Sequence, residues 1–306
     1  MYIGFDTSNY TTSVAVFDGE HMINKRRLLT VKSGERGLRQ SDAVFQHTVN
    51  MPSLISEISV DKNNIRAVAV SSRPRNIDGS YMPCFLVGIN NAVSVSKFSG
   101  APLYKTSHQV GHILAGLYSI KRLDLINEPF VAFHISGGTT EALLVVPDND
   151  EIITAKIIAQ SSDLKAGQAI DRAGVMMGLP FPCGKELDRL SLLSEKKYKI
   201  KPSMNGFDCS LSGVENKAKK LFENGESKED ISKFVLTYIA NAIDEMTQRI
   251  IDAYGNIPIM FVGGVMSNTL IRNQITKKYN AYFAEPDLSC DNACGIAIYA
   301  YLKDRK

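Results

Sequence analysis

Two stretches share one plan: Ile3-Gly4-Phe5-Asp6-Thr7-Ser8-Asn9-Tyr10-Thr11-Thr12 near the start, and Phe133-His134-Ile135-Ser136-Gly137-Gly138-Thr139-Thr140 in the middle. In each, a short apolar strand enters a tight turn of hydroxyl-bearing and small residues. It returns as a second apolar strand, Val14-Ala15-Val16-Phe17 in the first copy and Ala142-Leu143-Leu144-Val145-Val146 in the second. Such turns present backbone N–H groups and small hydroxyl donors, which suit phosphate oxygens. One copy alone is an ordinary hairpin. Two copies, each opening a half of the chain, predict a duplicated domain that grips one polyphosphate between its halves.

Working outward, the first half reads as strands at 2–6, 12–17 and 22–30, a helix at 41–57, a strand at 66–71, a helix at 84–98, a strand at 103–106 and a helix from 109. The second half starts alike, with strands at 130–136, 141–147 and 151–160. Helices follow at 166–178, 184–194, 213–223 and 228–254, then a strand at 257–262, a helix after Gly263-Gly264, a strand at 280–284 and a last helix from 291. Strands first and then alternating helices and strands, twice over, predicts an α/β fold with a mixed sheet in each half. Polar residues at 120–129 mark the boundary and give lobes 1–125 and 126–306, with the last helix free to pack back on the first lobe. The most polar long loop spans 195–210.

The chain has 306 residues, of which 44 % are hydrophobic and 22 % charged, ordinary values for a globular protein with two cores. No apolar run is long enough for a membrane span. Met1-Tyr2-Ile3-Gly4 enters a strand at once, leaving no room for a signal peptide, and this predicts a cytoplasmic protein. Cys84, Cys183, Cys209, Cys290 and Cys294 are scattered and odd in number, which reads as free structural thiols rather than a disulfide framework or a zinc knuckle. The net charge of +3 neither requires nor opposes a nucleic-acid partner. Basic clusters at Lys25-Arg26-Arg27, at Lys196-Lys197 with Lys199 and Lys201, at Lys217 with Lys219 and Lys220, and at Lys277-Lys278 are either solvated faces or nucleic-acid contacts.

Several residues can carry chemistry. His108 and His112 stand four apart at the start of a predicted helix, so both imidazoles can reach one metal ion; the alternative is a pair of structural histidines. His134, on the strand entering the second turn, is a third of only five histidines. Gly263 and Gly264, followed by Asn268, lie between a strand and a helix. They either admit a ligand ring close to the backbone or make a plain connection. Asp291 reads first as an N-cap of the last helix and otherwise as a third metal ligand. Asp171 can bind ribose hydroxyls or pair with Arg172 or another cation.

In this order the segments resemble the TsaD family, the tRNA threonylcarbamoyl-adenosine synthases once labelled O-sialoglycoprotein endopeptidases. The anchors are Gly4-Phe5-Asp6-Thr7-Ser8, His108 with His112, Ser136-Gly137-Gly138-Thr139-Thr140, Gly167-Gln168-Ala169-Ile170-Asp171-Arg172, Gly178-Leu179-Pro180-Phe181-Pro182, Ser212-Gly213, Gly263-Gly264-Val265 with Asn268, and Asp291-Asn292-Ala293. The resemblance implies the actin/hexokinase/Hsp70-like (ribonuclease H-like) ATPase fold, duplicated, with two lobes around a nucleotide cleft. It implies an acyltransferase that accepts threonylcarbamoyl-adenylate and transfers its acyl group to the exocyclic amine of the adenosine next to the anticodon of tRNA. His108, His112 and Asp291 would ligate one divalent metal, iron or zinc, with His134 as a further ligand where some members carry a tyrosine near the turn. Ser136, Gly137, Gly138 and Thr139 would cradle the phosphates of ATP or the adenylate, with Thr7, Ser8 and Thr12 opposite. Asp171 and Gly184 would hold the ribose, and Gly263, Gly264 and Asn268 would flank the adenine. The implied partners are tRNA, a paralogous scaffold subunit and a small ATPase of the same pathway.

The chain departs from the family pattern around these positions. Val110 stands where most members place a glutamate between the histidines, and Asn9, Tyr10 and Thr11 replace acidic residues of the first turn. Arg73-Pro74-Arg75 replaces a glycine-proline-glycine stretch, and Pro182-Cys183-Gly184-Lys185 replaces a diglycine motif. Two alternatives follow: a divergent paralogue that transfers a carbamoyl-type group to another acceptor, and a non-catalytic nucleotide-binding scaffold. The endopeptidase label has least support, because the histidine pair lacks the glutamate that serves HExxH proteases as general base.

Overall fold

The computed structural model describes residues 1–8, 10–31, 38–77, 79–288 and 293–306. The elements begin with β1 (Tyr2–Asp6), β2 (Thr11–Phe17), β3 (Met22–Leu28), α1 (Gln40–Ser56), β4 (Ala67–Arg73), α2 (Phe85–Ser99), β5 (Leu103–Ser107) and α3 (His108–Ser119). They continue with β6 (Phe130–Ile135), β7 (Thr140–Asp148), β8 (Ile152–Gln160), α4 (Ala166–Met176), α5 (Gly184–Ser191), β9 (Ser203–Asn205), β10 (Asp208–Ser210), α6 (Ser212–Glu223) and α7 (Lys228–Tyr254). The last are β11 (Ile259–Val262), α8 (Thr269–Thr276), β12 (Ala281–Phe283) and α9 (Cys294–Asp304). The chain divides into two compact units. The first holds Met1–Glu128, Val146–Ala155 and Asp287–Lys306, and the second holds Pro129–Val145 and Lys156–Pro286.

The first unit is built on a sheet of order β3-β2-β1-β4-β5, in which β1 and β2 form a hairpin while β4 and β5 run parallel to β1. Every residue of β1 and β2 is buried, so the sheet is covered on both faces. One face carries Ile3, Phe5, Val14, Val16, Val68 and Val70, which pack on Met51 and Leu54 of α1 and Ala92 of α2. The period of two puts small residues on the other face: Ala15, Gly4 and Ala69 form a row across three strands. That flat row lets a helix backbone come close. A methyl group built on Gly4 would lie 2.4 Å from the Ala297 nitrogen of α9. The same helix meets α3 through glycines, for a methyl on Gly295 would lie 1.8 Å from the Gly111 oxygen. Helix α3 is thereby seated by backbone-to-backbone contact with α9.

The second unit repeats the plan. Its sheet has the order β12-β11-β6-β7-β8, which is again a hairpin-connected trio followed by two strands parallel to the first. Phe133 and Phe261 stack with ring centroids 4.7 Å apart, and Phe261 stacks in turn on Phe283. Helix α7 covers this core with Ile231, Val235, Ile239, Ile243, Met246 and Ile250, an i, i+3/i+4 stripe. Ser227 caps the helix by accepting the Asp230 N–H.

Two details differ from the sequence expectation. A 3₁₀ turn (Gly264–Ser267) separates β11 from α8, because Gly263 takes φ 103° and the helix starts only where Asn268 caps it. The polar 195–210 stretch contains the β9–β10 hairpin, which turns at Gly206 with φ 58°. In both sheets the carboxyl ends of the parallel strands lie along one edge, the edge at which open α/β sheets bind ligands.

Candidate functional site

At that edge of the first unit, β1 ends on Asp6, β4 on Ser71-Ser72-Arg73, and β5 delivers the chain into α3. Ser107 caps α3 by accepting the Val110 N–H, which fixes the first turn and hence His108. His108 and His112 fall on one helix face with ring centroids 4.3 Å apart and planes at 74°. Val110, 1 % exposed, points into the core.

The sequence reading missed Asp6 as a site residue. Its carboxylate is 1 % exposed and fully engaged. Oδ2 lies 2.7 Å from His108 Nδ1, while Oδ1 accepts the Ser71 hydroxyl at 2.6 Å and the Ser8 N–H at 3.0 Å. A carboxylate with these donors only accepts, so the hydrogen sits on His108 Nδ1 and the lone pair on Nε2. A carboxylate holding the far nitrogen of an imidazole is the usual support of a metal-bound histidine. A signal was present in the sequence: a single acid ends an otherwise apolar strand, and a buried charge needs a partner.

Two imidazoles on one helix face, one of them oriented by a carboxylate, suit zinc or iron. Asp291, the expected third ligand, lies outside the described residues, as do Asn9, Cys290 and Asn292. Among the described residues no group of three or more His, Cys, Asp or Glu is arranged to hold a metal. His134 belongs to the second unit, where it sits on β6 opposite Glu141 of β7 and Val262 of β11.

The hydroxyls of the first turn face inward. Thr7 Oγ1 donates to the Cys84 carbonyl at 2.9 Å and accepts the Gly88 N–H at 3.0 Å, so it ties β1 to the start of α2. Thr12 Oγ1 meets His47 Nδ1 at 2.8 Å and accepts from Asn50. Both are fully buried. Ser8 is buried too, its hydroxyl without a hydrogen-bond partner among the described residues. In this arrangement Thr7 and Thr12 brace the sheet against α1 and α2 and present no hydroxyl to a phosphate. Thr7 serves the start of α2, whose first N–H groups need a partner, and Thr12 serves His47 and Asn50 in the middle of α1.

The second turn is open. Ser136 donates its N–H to the Thr139 carbonyl, which closes the turn, and Gly137 and Gly138 are exposed. A methyl on either glycine would meet nothing within 4 Å, and among the described residues neither N–H makes a hydrogen bond. Helix α4 is docked against the turn. Its Ala166 N–H donates to Thr140 Oγ1 at 2.8 Å and its Gly167 N–H to the Ser136 carbonyl at 3.2 Å. Gly167 is required there, since a methyl would lie 2.6 Å from Gly137 Cα.

Asp171 follows one turn later on α4. It does not pair with Arg172, which instead bonds Glu215 at 2.8 Å. One Asp171 oxygen accepts the Cys183 N–H at 2.8 Å, and the other has no partner among the described residues. Burial raises its pKa above the ordinary carboxylate value, and the Cys183 N–H works in the opposite direction. The neighbouring Gly184 opens α5 and is unobstructed. Gly263 fills a tight place, where a methyl would lie 2.3 Å from the Ile135 carbonyl, whereas Gly264 is exposed. Asn268 is 7 % exposed and accepts the Ile271 N–H as the cap of α8. Ser136-Gly137-Gly138, Asp171, Gly184 and Gly263-Gly264 therefore gather at the carboxyl edge of the second sheet.

The described cysteines are buried and form no disulfide among the described residues. Burial pushes the Cys209 thiol up to about 11 and Cys294 to about 12, so neither supplies a thiolate near neutral pH. No helix among the described residues is long and apolar enough to cross a membrane.

Comparison with known proteins gives the family and the fold. The chain is 27 % identical over 99 % of its length, and 91 % of the relative's, to a tRNA N6-adenosine threonylcarbamoyltransferase of Ligilactobacillus salivarius. It is 24 % identical to a probable bifunctional tRNA threonylcarbamoyladenosine biosynthesis protein of Thermoplasma acidophilum, over 99 % of this chain and 56 % of that one. Among solved structures, component A of the (R)-2-hydroxyglutaryl-CoA dehydratase of Acidaminococcus fermentans superposes with a TM-score of 0.60 at 15 % identity, covering 100 % of this chain and 99 % of the other. A ROK hexokinase from Thermus thermophilus gives 0.52 at 14 % identity, with 99 % of each chain covered. The fold is thus that of the actin/hexokinase-like ATPases. The family model described as TsaD, tRNA N6-adenosine threonylcarbamoyltransferase, matches residues 33–298, and the chain belongs to that family.

Proposed function

We propose that this protein transfers a threonylcarbamoyl group from threonylcarbamoyl-adenylate to N6 of the adenosine next to the anticodon of tRNA. The observation that carries the reading is the Asp6–His108–His112 group at the end of β1 and β5, in a chain of the TsaD family. His108 and His112 would hold a divalent metal, zinc or iron, with Asp291 as a further ligand. When bound, such an ion polarises a carbonyl as a Lewis acid. Asp6 keeps His108 in the tautomer with its hydrogen on Nδ1 and its lone pair on Nε2, and Ser71 and the Ser8 N–H hold the Asp6 carboxylate in place.

The adenylate is a mixed anhydride, so attack by the adenosine amine on its carbonyl forms the new C–N bond and expels AMP. The residues' part is to bind and orient. The N–H groups of Gly137 and Gly138 are unspent donors for phosphate oxygens. The free oxygen of Asp171 is an acceptor for a ribose hydroxyl, and Gly184 leaves that approach open. Gly264 leaves room for the purine, while Gly263 and Asn268 shape the turn that bears it. This reaction requires no nucleophilic side chain, which is consistent with cysteines kept protonated by burial.

The test is reconstitution of purified protein with unmodified tRNA, threonine, bicarbonate, ATP, the adenylate-forming enzyme and the partner subunits, reading the modified nucleoside by mass spectrometry. Formation of threonylcarbamoyl-adenosine at the position next to the anticodon is expected. Its absence, with AMP released and the acyl group carried to another amine acceptor, would select the divergent-acceptor reading instead.

A further inference from the structure

Away from the sheet edge, the second unit has a cleft of about 450 Å³ lined by Leu192, Lys233, Thr237, Leu270, Gln274 and Lys277, among others. Its walls are the end of α5, the first half of α7 and the length of α8. The 195–201 segment, read from sequence as a basic cluster, is fastened beside it. Tyr198 packs its ring on Phe234 of α7 at 5.4 Å and donates its hydroxyl to the Asp230 carbonyl. The Ile200 carbonyl accepts from Asn241, and Asn241 Oδ1 accepts from Gln274 in the wall of the cleft. The segment is therefore fastened to α7, and Asn241 of α7 links it to Gln274 of α8 in the cleft wall.

The charges sort themselves in a telling way. Glu226 and Asp230 are taken up by Lys196, and Asp244 by Lys278. Among the described residues Lys197, Lys199, Lys201, Lys233 and Lys277 form no ion pair. Glu195, Glu229 and Asp188, whose carboxylate accepts the Thr269 N–H at the start of α8, are nearby carboxylates outside those pairs, so five lysines stand against three acids and a net positive strip remains. Its lysines are spread over one loop and two helices rather than converging on a point. A single small anion would be met by converging donors; a polyanion with regularly spaced charges is met by a strip. Thr237 and Asn273 add neutral hydrogen-bonding groups, and Leu192 and Leu270 offer an apolar floor.

From this strip we infer that the cleft between α7 and α8, with the 195–201 segment, is a docking surface for the phosphate backbone of the RNA substrate. The inference rests on the proposed tRNA reaction and adds where that RNA is held. Contacts of this kind position the substrate without reading its sequence.

The experiment measures binding of an unmodified tRNA transcript by fluorescence anisotropy across a potassium chloride series. It compares the full-length protein with Lys233→Ala/Lys277→Ala and with Lys197→Ala/Lys199→Ala/Lys201→Ala, each checked by circular dichroism. Lys219→Ala/Lys220→Ala on α6 serves as a control of equal charge. Each phosphate contact removed should lower the slope of log K against log salt by about 1, so the double variant should lose about 2. Affinity near physiological salt should fall about tenfold or more in both cleft variants, while binding of a non-hydrolysable ATP analogue stays unchanged. If wild type binds tRNA and the cleft variants keep its affinity and slope, or the control weakens binding equally, the docking surface is overturned and the proposed reaction stands. If no form binds tRNA, the functional reading falls and the inference falls with it.

Discussion

Replacing Asp6 by asparagine changes one atom in a fully buried carboxylate, so it probes charge and hydrogen-bond direction at constant shape. Asp6 Oδ1 accepts from Ser71 and from the Ser8 N–H. The Ser8 backbone donor cannot turn round, so the asparagine oxygen must take the Oδ1 place and its amino group must face His108. Nδ1 of His108 then has to accept, and its hydrogen moves to Nε2, the nitrogen needed for coordination. Two costs combine. A hydrogen bond to a charged group contributes about 1.5–3 kcal/mol and a neutral one about 0.5–1.5 kcal/mol, so roughly 1 kcal/mol of ring orientation is lost. Reversing the tautomer adds to this, and the sum falls in the range of 10- to 100-fold weaker metal binding seen when such supports are removed, about 1.4–2.7 kcal/mol. The assay is a competition titration of apo protein with zinc against a chelator, together with long-range ¹⁵N–¹H spectra of His108 in the metal-free state. The variant should bind zinc at least tenfold more weakly and show His108 protonated on Nε2. Unchanged affinity with His108 still protonated on Nδ1 would refute the reasoning.

His112→Ala should abolish zinc binding with little change in the melting temperature; retained binding would mean that the imidazole pair is not a metal site. Gly138→Val should leave the fold intact, since nothing lies within 4 Å of its methyl position, yet weaken ATP-analogue binding severalfold; equal affinity would exclude this turn as a phosphate cradle. Gly263→Ala should instead destabilise the protein by at least about 2 kcal/mol, because φ is 103° and the methyl would strike the Ile135 carbonyl; a wild-type denaturant midpoint would contradict that. His47, fully buried, is lowered to about 4 by burial, against about 6.5 when unfolded. Its neutral form is favoured in the fold, so stability is full above about pH 6.5 and is lost as pH falls toward 4, by as much as about 3 kcal/mol. Chemical denaturation of wild type and His47→Asn across pH 4–7 should give a flatter dependence for the variant, and parallel curves would exclude His47 as a source.

Much of the fold was legible because each strand and helix declares itself locally. The largely apolar β1 and β6, the glycine-rich returns and the α7 stripe need no distant partner to be recognised. The His108–His112 pair was equally legible, since helical periodicity alone puts both rings on one face. Residues whose meaning depends on a distant neighbour were harder. Asp6 finds His108 across 102 positions, through the adjacency of β1, β4 and β5. Thr7 and Thr12 read as phosphate donors because their turn is rich in hydroxyls; which way a hydroxyl points is decided by the start of α2 and the middle of α1, far along the chain. Asp171 and Arg172 are adjacent in sequence, but successive helical residues do not face each other, and Glu215 of α6 takes the cation. Gly263 is glycine for its contact with Ile135 as well as for any ligand, a distinction that only the sheet register can make.

The glycine seam between α3 and α9 has a bearing on biosynthesis. By residue 128 a ribosome has made every strand of the first sheet and the helix that carries both imidazoles, but not residues 294–304, whose backbone fills the row of small side chains. Until those residues emerge, that face stays bare and α3 has no seat, for an interval of roughly 10–30 s at translation rates of about 5–20 residues per second. Nascent chains must therefore wait with an unfinished first unit while the second is made. A product truncated ahead of the seam inherits an exposed surface and an α3 without its seat.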